Sequence, residues 1–184
     1  MDFQHIETGV CGLSCRLCPR FHSESESRCA GCKSSHRMGA GCPFVTCAVK
    51  KKGIELCTDC GDRGSCERLH RHLEASKEHD SFICYQKLTA NVAFINAHGI
   101  AAFEAAQAER GRLLARMISG FDDGRSKSYY CVAATVLEVA ELEAALAVAE
   151  NVDATMPKKG RAKTLRASLE EIAKSRGYVL KLRK

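Results

Sequence analysis

Ten of the twelve cysteines in this 184-residue chain lie between Cys11 and Cys66, and only Cys84 and Cys131 follow. The first 66 residues hold eight of the fourteen glycines, whereas 21 of the 24 alanines come after residue 67. A segment so short, loop-rich and poor in aliphatic residues cannot bury enough apolar surface to hold its own shape. Segments of this kind rely on disulfides or metals as cross-links. The composition therefore divides the chain into a cysteine-rich module, residues 1–66, and a remainder, residues 67–184, that reads as helices.

Metal is the expected cross-link. The opening MDFQHIETGV has no basic stretch followed by an apolar one, so export to an oxidising compartment is not expected. In a reducing cytoplasm, clustered thiols serve mainly as metal ligands. No apolar run approaches the ~20 residues of a membrane span, so no membrane role is expected and a cytoplasmic location follows.

The spacing is C-x3-C-x2-C, ten residues, C-x2-C, nine residues, C-x4-C, nine residues, C-x2-C, five residues, C. The candidate ligands are Cys11, Cys15, Cys18, Cys29, Cys32, Cys42, Cys47, Cys57, Cys60 and Cys66. A C-x2-C turn brings two thiolates to one ion, with backbone amides free to bond the sulfurs. Cys29-Ala-Gly-Cys32 and Cys57-Thr-Asp-Cys60-Gly61 both have this form, with a glycine for the tight backbone. Paired, the two knuckles would make a tetrahedral four-thiolate zinc site. Ten ligands would fill two such sites with two thiols to spare. His22 and His36 lie among the cysteines and read as solvated loop residues.

Cys11, Cys15 and Cys18 also resemble an iron–sulfur loop. The radical enzymes that use C-x3-C-x2-C need an α/β barrel behind it, and nothing here alternates strand and helix. Cys18-Pro19 and Cys42-Pro43 have the Cys-Pro ending of ferredoxin motifs, but the rest of that run is missing. Zinc is the expected cofactor, with an iron–sulfur cluster as the alternative, because thiolates suit both.

The remainder is expected to form a bundle of about five helices, so the fold class is mainly α. Glu67 to Lys77 reads as a helix with His70 and His72 at its surface. Residues 81–97 follow, with Tyr85, Leu88, Val92 and Ile95 on one stripe and Gly99 as a stop. Residues 100–119 form a third helix ended by Gly120. Asp122-Asp123-Gly124 is a turn, and Ser126 or Ser128 can cap the next helix. The run YYCVAATVL, residues 129–137, is apolar on every face and belongs at a bundle centre, with an amphipathic continuation to Glu150. Cys84 and Cys131 read as small buried hydrophobes. NVDATMP is a linker. Leu165, Leu169 and Ile172 mark a last helix ending near Gly177, and residues 178–184 alternate like an edge strand.

Arg125 and Lys127 stand just before a helix start, where exposed amides and two cations would favour an anion. The net charge of +6 is concentrated at the end, with ten basic residues from Lys158 onward against Glu170 and Glu171. Without accompanying aromatic residues, nucleic acid is the weaker reading of that tail. The expected partner is another protein or a small anionic ligand.

The run Cys11-Gly12-Leu13-x-Cys15-x2-Cys18-Pro19, the knuckle Cys29-x-Gly31-Cys32 and the later Cys57-x2-Cys60-x5-Cys66-Glu67 resemble a cysteine-rich prokaryotic family, domain of unknown function 3795. The run Asp123-Gly124-Arg125-Ser126-Lys127-Ser128-Tyr129-Tyr130-Cys131 and the LKLRK ending are similar to longer members. The resemblance implies a metal-binding module, usually taken as zinc, without an assigned activity. It also draws attention to Asp123, Arg125, Lys127 and Cys131. Three functions follow as expectations: a zinc-stabilised binding or accessory module, an iron–sulfur protein of electron transfer, or a thiol- or metal-centred enzyme near Arg125 and Lys127. No catalytic residue stands out.

Overall fold

The helical periodicity of the second part becomes a bundle, and the cysteine-rich part becomes irregular chain packed against it. The structure is a computed structural model that describes residues 2–26, 28–39, 41–152 and 156–184. The side chain of His36 and the middle of the 151–157 linker lie outside the described residues. The helices are α1 (Ser35–Gly39), α2 (Glu67–Ala75), α3 (Leu88–Phe121), α4 (Lys127–Val136), α5 (Val139–Glu150) and α6 (Lys158–Ser175). Single 3₁₀ turns form at Cys15–Leu17, Cys57–Asp59 and Arg63–Ser65, and a wider π-type turn spans Val45–Lys51. The mainly α class holds, and no strand occurs among the described residues.

Helix α4 is the centre of the bundle, as its all-round apolar sequence requires. Tyr130, Cys131, Val132, Ala133, Ala134 and Val136 are all buried. They meet Leu113, Leu114 and Met117 of α3, Leu142 and Leu146 of α5, and Leu165 and Leu169 of α6. Leu17 from the cysteine-rich module enters the same core, as does Cys84. Two smaller apolar clusters join the module to the residues that follow it. One joins Val10, Phe44, Val45 and Val49 to Leu69 of α2, and the other joins Leu13 and Cys18 to Ile83, Leu88 and Val92.

Several boundaries differ from the sequence expectation, each for a local reason. The second helix begins at Leu88 rather than 81. The Asp80 carboxylate accepts the amide of Tyr85 and holds residues 81–87 as a loop. Gly99 interrupts rather than ends: it takes φ 81 and ψ 165, and the helix resumes beyond it to Phe121, with Gly120 inside it. The expected continuous run to Glu150 breaks at Leu137–Glu138. There Glu138 and Glu141 form a capping box at the start of α5. The buried guanidinium of Arg110 donates to the carbonyls of Ala134 and Leu137 and pairs with Glu138 at 2.8 Å. It thereby satisfies carbonyls that the end of α4 would otherwise leave orphaned.

Neither Ser126 nor Ser128 caps α4 in the expected way. Ser126 is fully buried, and its hydroxyl donates to the Asp123 carboxylate (2.8 Å). The two aspartates organise the turn themselves: Asp122 accepts the amides of Gly124 and Ser126, and Asp123 accepts that of Arg125. Residues 178–184 are not a strand but a strap along the 76–86 loop. Arg183 bonds the Asp80 carboxylate (2.9 Å) and the Ser76 carbonyl (2.8 Å), and Gln86 bonds both the amide and the carbonyl of Val179.

The module is seated on α3 by polar contacts as well as Leu17. Thr8 and His5 both bond Glu104, at 2.9 and 3.0 Å, and Asn91 donates to the Gly12 carbonyl. Gly12 sits at φ +94, and a Cβ there would come within 3.2 Å of Val92. Only glycine suits both the backbone and the close approach.

Candidate metal centre

The path of the module sorts its ten cysteines into two sets. A cavity of about 40 Å³ is lined by Cys47, Cys57, Cys60 and Cys66, with Phe44, Ala48, Ile54 and Leu69 as apolar wall. A chamber of about 390 Å³ is lined by Cys11, Cys15, Cys18, Cys29, Cys32 and Cys42. Cys84 and Cys131 line neither. The knuckles Cys29–Cys32 and Cys57–Cys60 therefore line different cavities. Cys29–Cys32 shares its chamber with Cys15–Cys18, and a hydrogen bond links the Cys15 and Cys32 thiols.

Both Cys15–Cys18 and Cys57–Cys60 fold as the same 3₁₀ turn, closed by amide bonds from Cys18 to the Cys15 carbonyl and from Cys60 to the Cys57 carbonyl. Such a turn projects both thiols to one side. Gly31, at φ +101, bends the Cys29–Cys32 knuckle so that its backbone passes against the Ile6 carbonyl and the Cys15 thiol. Lys33, directly after Cys32, anchors the knuckle. Its buried ammonium reaches the His5 carbonyl (2.7 Å) and the Glu55 carboxylate (2.8 Å), tying the knuckle to both ends of the module.

The thiols feel one another. Burial pushes the Cys57 thiol up to about 12, with further upward pressure from Cys11, Cys66, Cys47 and Cys60. Burial likewise raises Cys11 to about 12, reinforced by Cys32 and Cys42. Cys15 is shifted down by a hydrogen bond with Cys32, which is raised in turn. Cys18 is raised by burial and by Cys29 and Cys32. These relations set Cys15, Cys18, Cys29 and Cys32 as one group of neighbours, with Cys11 between the two sets, acting on Cys57 and raised by Cys32 ahead of Cys42. Around the smaller cavity the charge balance is different. Lys52 donates to the Cys60 sulfur (3.1 Å) and to Asp62, and Arg63 and Arg68 also line the space.

Four or more thiols on each cavity wall match the donor chemistry of zinc or iron, since soft thiolates select such ions over calcium or magnesium. The thiols line these walls without converging on a single point. Among the described residues no group of three or more His, Cys, Asp or Glu side chains is arranged to hold an ion.

The histidines divide as well. His22 is not solvated: its Nε2 donates to the Arg16 carbonyl (2.5 Å), and it lines a cleft away from the thiols. His72 is half-buried rather than on the surface. Its ring packs on Phe44 and against the edge of Tyr85, at centroid distances of 4.7 and 5.1 Å. It lines the large chamber, and its Nε2 is buried without a hydrogen-bond partner. The sequence masks this, because i, i+2 spacing from His70 argues against a helical pair while saying nothing about cysteines on distant loops.

Arg125 and Lys127 lie together on a broad cleft of about 1080 Å³ between the module and the bundle. Arg28 from the module and Lys158 at the start of α6 join them, opposed by Glu24 and Asp122. Cys131 is fully buried and its thiol is pushed up by burial, the opposite of an activated nucleophile. No helix among the described residues is long and apolar enough to cross a membrane.

No curated protein and no solved structure matches the chain. Residues 7–71 match the family model described as Protein of unknown function (DUF3795), a span that takes in all ten clustered cysteines and reaches into α2. The cysteine-rich end of the chain is thus similar to the DUF3795 family over that span.

Proposed function

We propose that residues 11–66 form a thiolate metal-binding module with two separate four-cysteine centres. Cys15, Cys18, Cys29 and Cys32 supply one, and Cys47, Cys57, Cys60 and Cys66 the other. Zinc is the ion the ligands suit best, because each centre pairs C-x2-C turns or their equivalents in the closed tetrahedral pattern of structural sites. The observation that carries this reading is the sorting of the ten clustered cysteines onto two cavity walls, with Cys84 and Cys131 left in the apolar core.

The metals would do what the small apolar clusters of the module cannot. They hold its loops in the shape that docks Leu17, Thr8 and His5 on α3. The docked module and the bundle then share the basic cleft of Arg28, Arg125, Lys127 and Lys158. The protein is thus a metal-stabilised binding or accessory module, with an anionic ligand or an acidic protein surface as the partner for that cleft.

Metal and acid-labile sulfide analysis of protein purified without oxygen tests this. The expected result is colourless protein with zinc, and loss of order in the module on chelation while the bundle stays helical. Iron with sulfide would replace zinc by the cluster alternative. Metal-free protein with a rigidly ordered module would refute both.

A further inference from the structure

The loop of residues 81–87 turns one aromatic ring outward. Ile83 and Cys84 are buried, and Phe82 before them is left 39% exposed. Two guanidiniums from the cysteine-rich module stand over its ring, Arg20 at 5.1 Å and Arg37 at 4.8 Å from the centroid. A third, Arg28, stands 5.2 Å from the centroid of Phe21, and its Nε donates to the Phe21 carbonyl (2.9 Å). The Cys29 amide donates to the Arg20 carbonyl (3.0 Å), which sets Arg20 and Arg28 on adjacent segments of the module. Among the described residues none of these three arginines forms an ion pair, whereas Arg16, Arg116 and Arg183 each do. A guanidinium held flat against a ring without a carboxylate keeps its N–H edge for an outside anion.

We propose that this arginine–phenylalanine strip, together with the basic cleft beside it, binds a single-stranded nucleic acid. The proposal deepens the reading of the cleft as an anion site and rests on it. Phe21 lines both that cleft and the chamber that Phe82 and Arg37 line, so the strip runs into the wall where Arg125, Lys127 and Lys158 stand. Phosphates meet the cations along this path, and bases stack on the exposed ring and on the guanidinium planes. Aromatic residues are what the basic end of the chain lacks. The fold supplies them at a different set of cations, by bringing Phe82 to arginines some sixty and forty-five positions earlier.

Size, charge and ring exposure favour a strand over other anions. The cleft, at about 1080 Å³, is larger than a usual small-molecule pocket. Six cations of strip and cleft stand against two carboxylates, Glu24 and Asp122. An acidic protein surface would be served by the cations alone and gives no role to an exposed ring under two guanidiniums. A duplex hides its base faces in its own stack, so stacking on Phe82 requires unpaired bases. Phosphate charge and base faces are common to DNA and RNA, and both are bound.

Fluorescence anisotropy with the full-length protein, purified without oxygen and with its metal content measured, tests the proposal. The probes are labelled oligo-dT and oligo-U strands of about 15 nucleotides. Both strands should bind, and a duplex of the same length should bind at least about five-fold more weakly. The logarithm of the binding constant should fall with that of salt concentration with a slope of about −2 to −4. Phe82→Leu should weaken strand binding about ten-fold and leave the slope unchanged. Arg28→Gln combined with Arg37→Gln should reduce the slope by about 1. Thermal unfolding checks that the variants fold, and the comparison of strand with duplex needs no variant. Polyglutamate that competes as well as the strands, or a folded Phe82→Leu protein that binds strands like wild type, overturns the nucleic-acid partner and leaves the cleft as an anion site. Duplex bound as tightly as strand also overturns it. Binding to neither strands nor polyglutamate overturns the reading of the cleft itself, and the metal content keeps every one of these outcomes separate from the two four-cysteine centres.

Discussion

Replacing Gly31 by alanine should separate the two knuckle glycines that look equivalent in sequence. Gly31 sits at φ +101, and a Cβ added there would lie 2.8 Å from the Ile6 carbonyl oxygen and 3.8 Å from the Cys15 sulfur. Holding an L-residue in that backbone region costs about 1–3 kcal/mol. The clash is with backbone, not with a flexible side-chain end, so relief requires moving the 29–32 knuckle away from residue 6. Overpacking of this kind adds about 1–3 kcal/mol. The sum, about 2–6 kcal/mol, corresponds to a fall in Tm of roughly 4–24 °C for a chain of this size. Because the displaced knuckle carries Cys29 and Cys32 opposite Cys15, the variant should also lose metal from that centre. Gly61, beside Cys60, is the control. Its φ is not positive and nothing lies within 4 Å of a Cβ placed there, so Gly61→Ala should stay within about 0.5 kcal/mol of wild type. Thermal unfolding under anaerobic, reducing conditions with parallel metal analysis reads both quantities. A Gly31→Ala protein as stable and metal-replete as wild type, or a Gly61→Ala protein equally damaged, would refute the reasoning.

Other perturbations have equally definite outcomes. Arg110→Ala strands the carbonyls at the end of α4 and should cost about 2–3 kcal/mol in chemical denaturation. The Asp80 carboxyl is lifted by burial, but hydrogen bonds and charge from Arg183 outweigh this and hold it below the usual carboxylate range. Its contribution is therefore present above the unfolded-state pKa of about 4 and disappears as pH falls through the folded value. Asp80→Asn should cost about 1–3 kcal/mol at neutral pH and cost progressively less in acid, measured by denaturation at several pH values. Cys131 should react with an alkylating agent in the native protein only as fast as the bundle opens, read by mass spectrometry of labelled peptides. Charge reversal at Arg125 and Lys127 should weaken binding to an immobilised polyanion and flatten its salt dependence, read by elution position.

Much of the fold was legible because its causes are local. The apolar circumference of YYCVAATVL places it in a bundle centre whatever the neighbours are, and Leu165 and Leu169 mark the buried face of α6. Misjudged boundaries share one feature: a partner distant in sequence decides them. Asp80 keeps residues 81–87 out of a helix only with Arg183, about a hundred positions away, completing its bonds. The strap of residues 178–184 alternates like a strand, but the surface it meets is a loop of hydrogen-bonding side chains, not a sheet edge. Glu138 ends one helix and starts another because Arg110 reaches it from α3.

Cysteine spacing, by itself, determined that the front of this protein carries paired thiols on tight turns, because a C-x2-C turn has few ways to point its sulfurs. It could not say which turn faces which. That depends on how the intervening nine- and ten-residue segments travel, and those segments take their course from Leu17 and Val45 seeking apolar cover, from Lys33 spanning to Glu55, and from Gly12 pressing on Val92. Only the assembled chain brings Cys15–Cys18 to one chamber with Cys29–Cys32, sets Cys47 with Cys57, Cys60 and Cys66, and lays His72 between Phe44 and Tyr85, since those meetings are made by packing across the module and not by any periodicity along it.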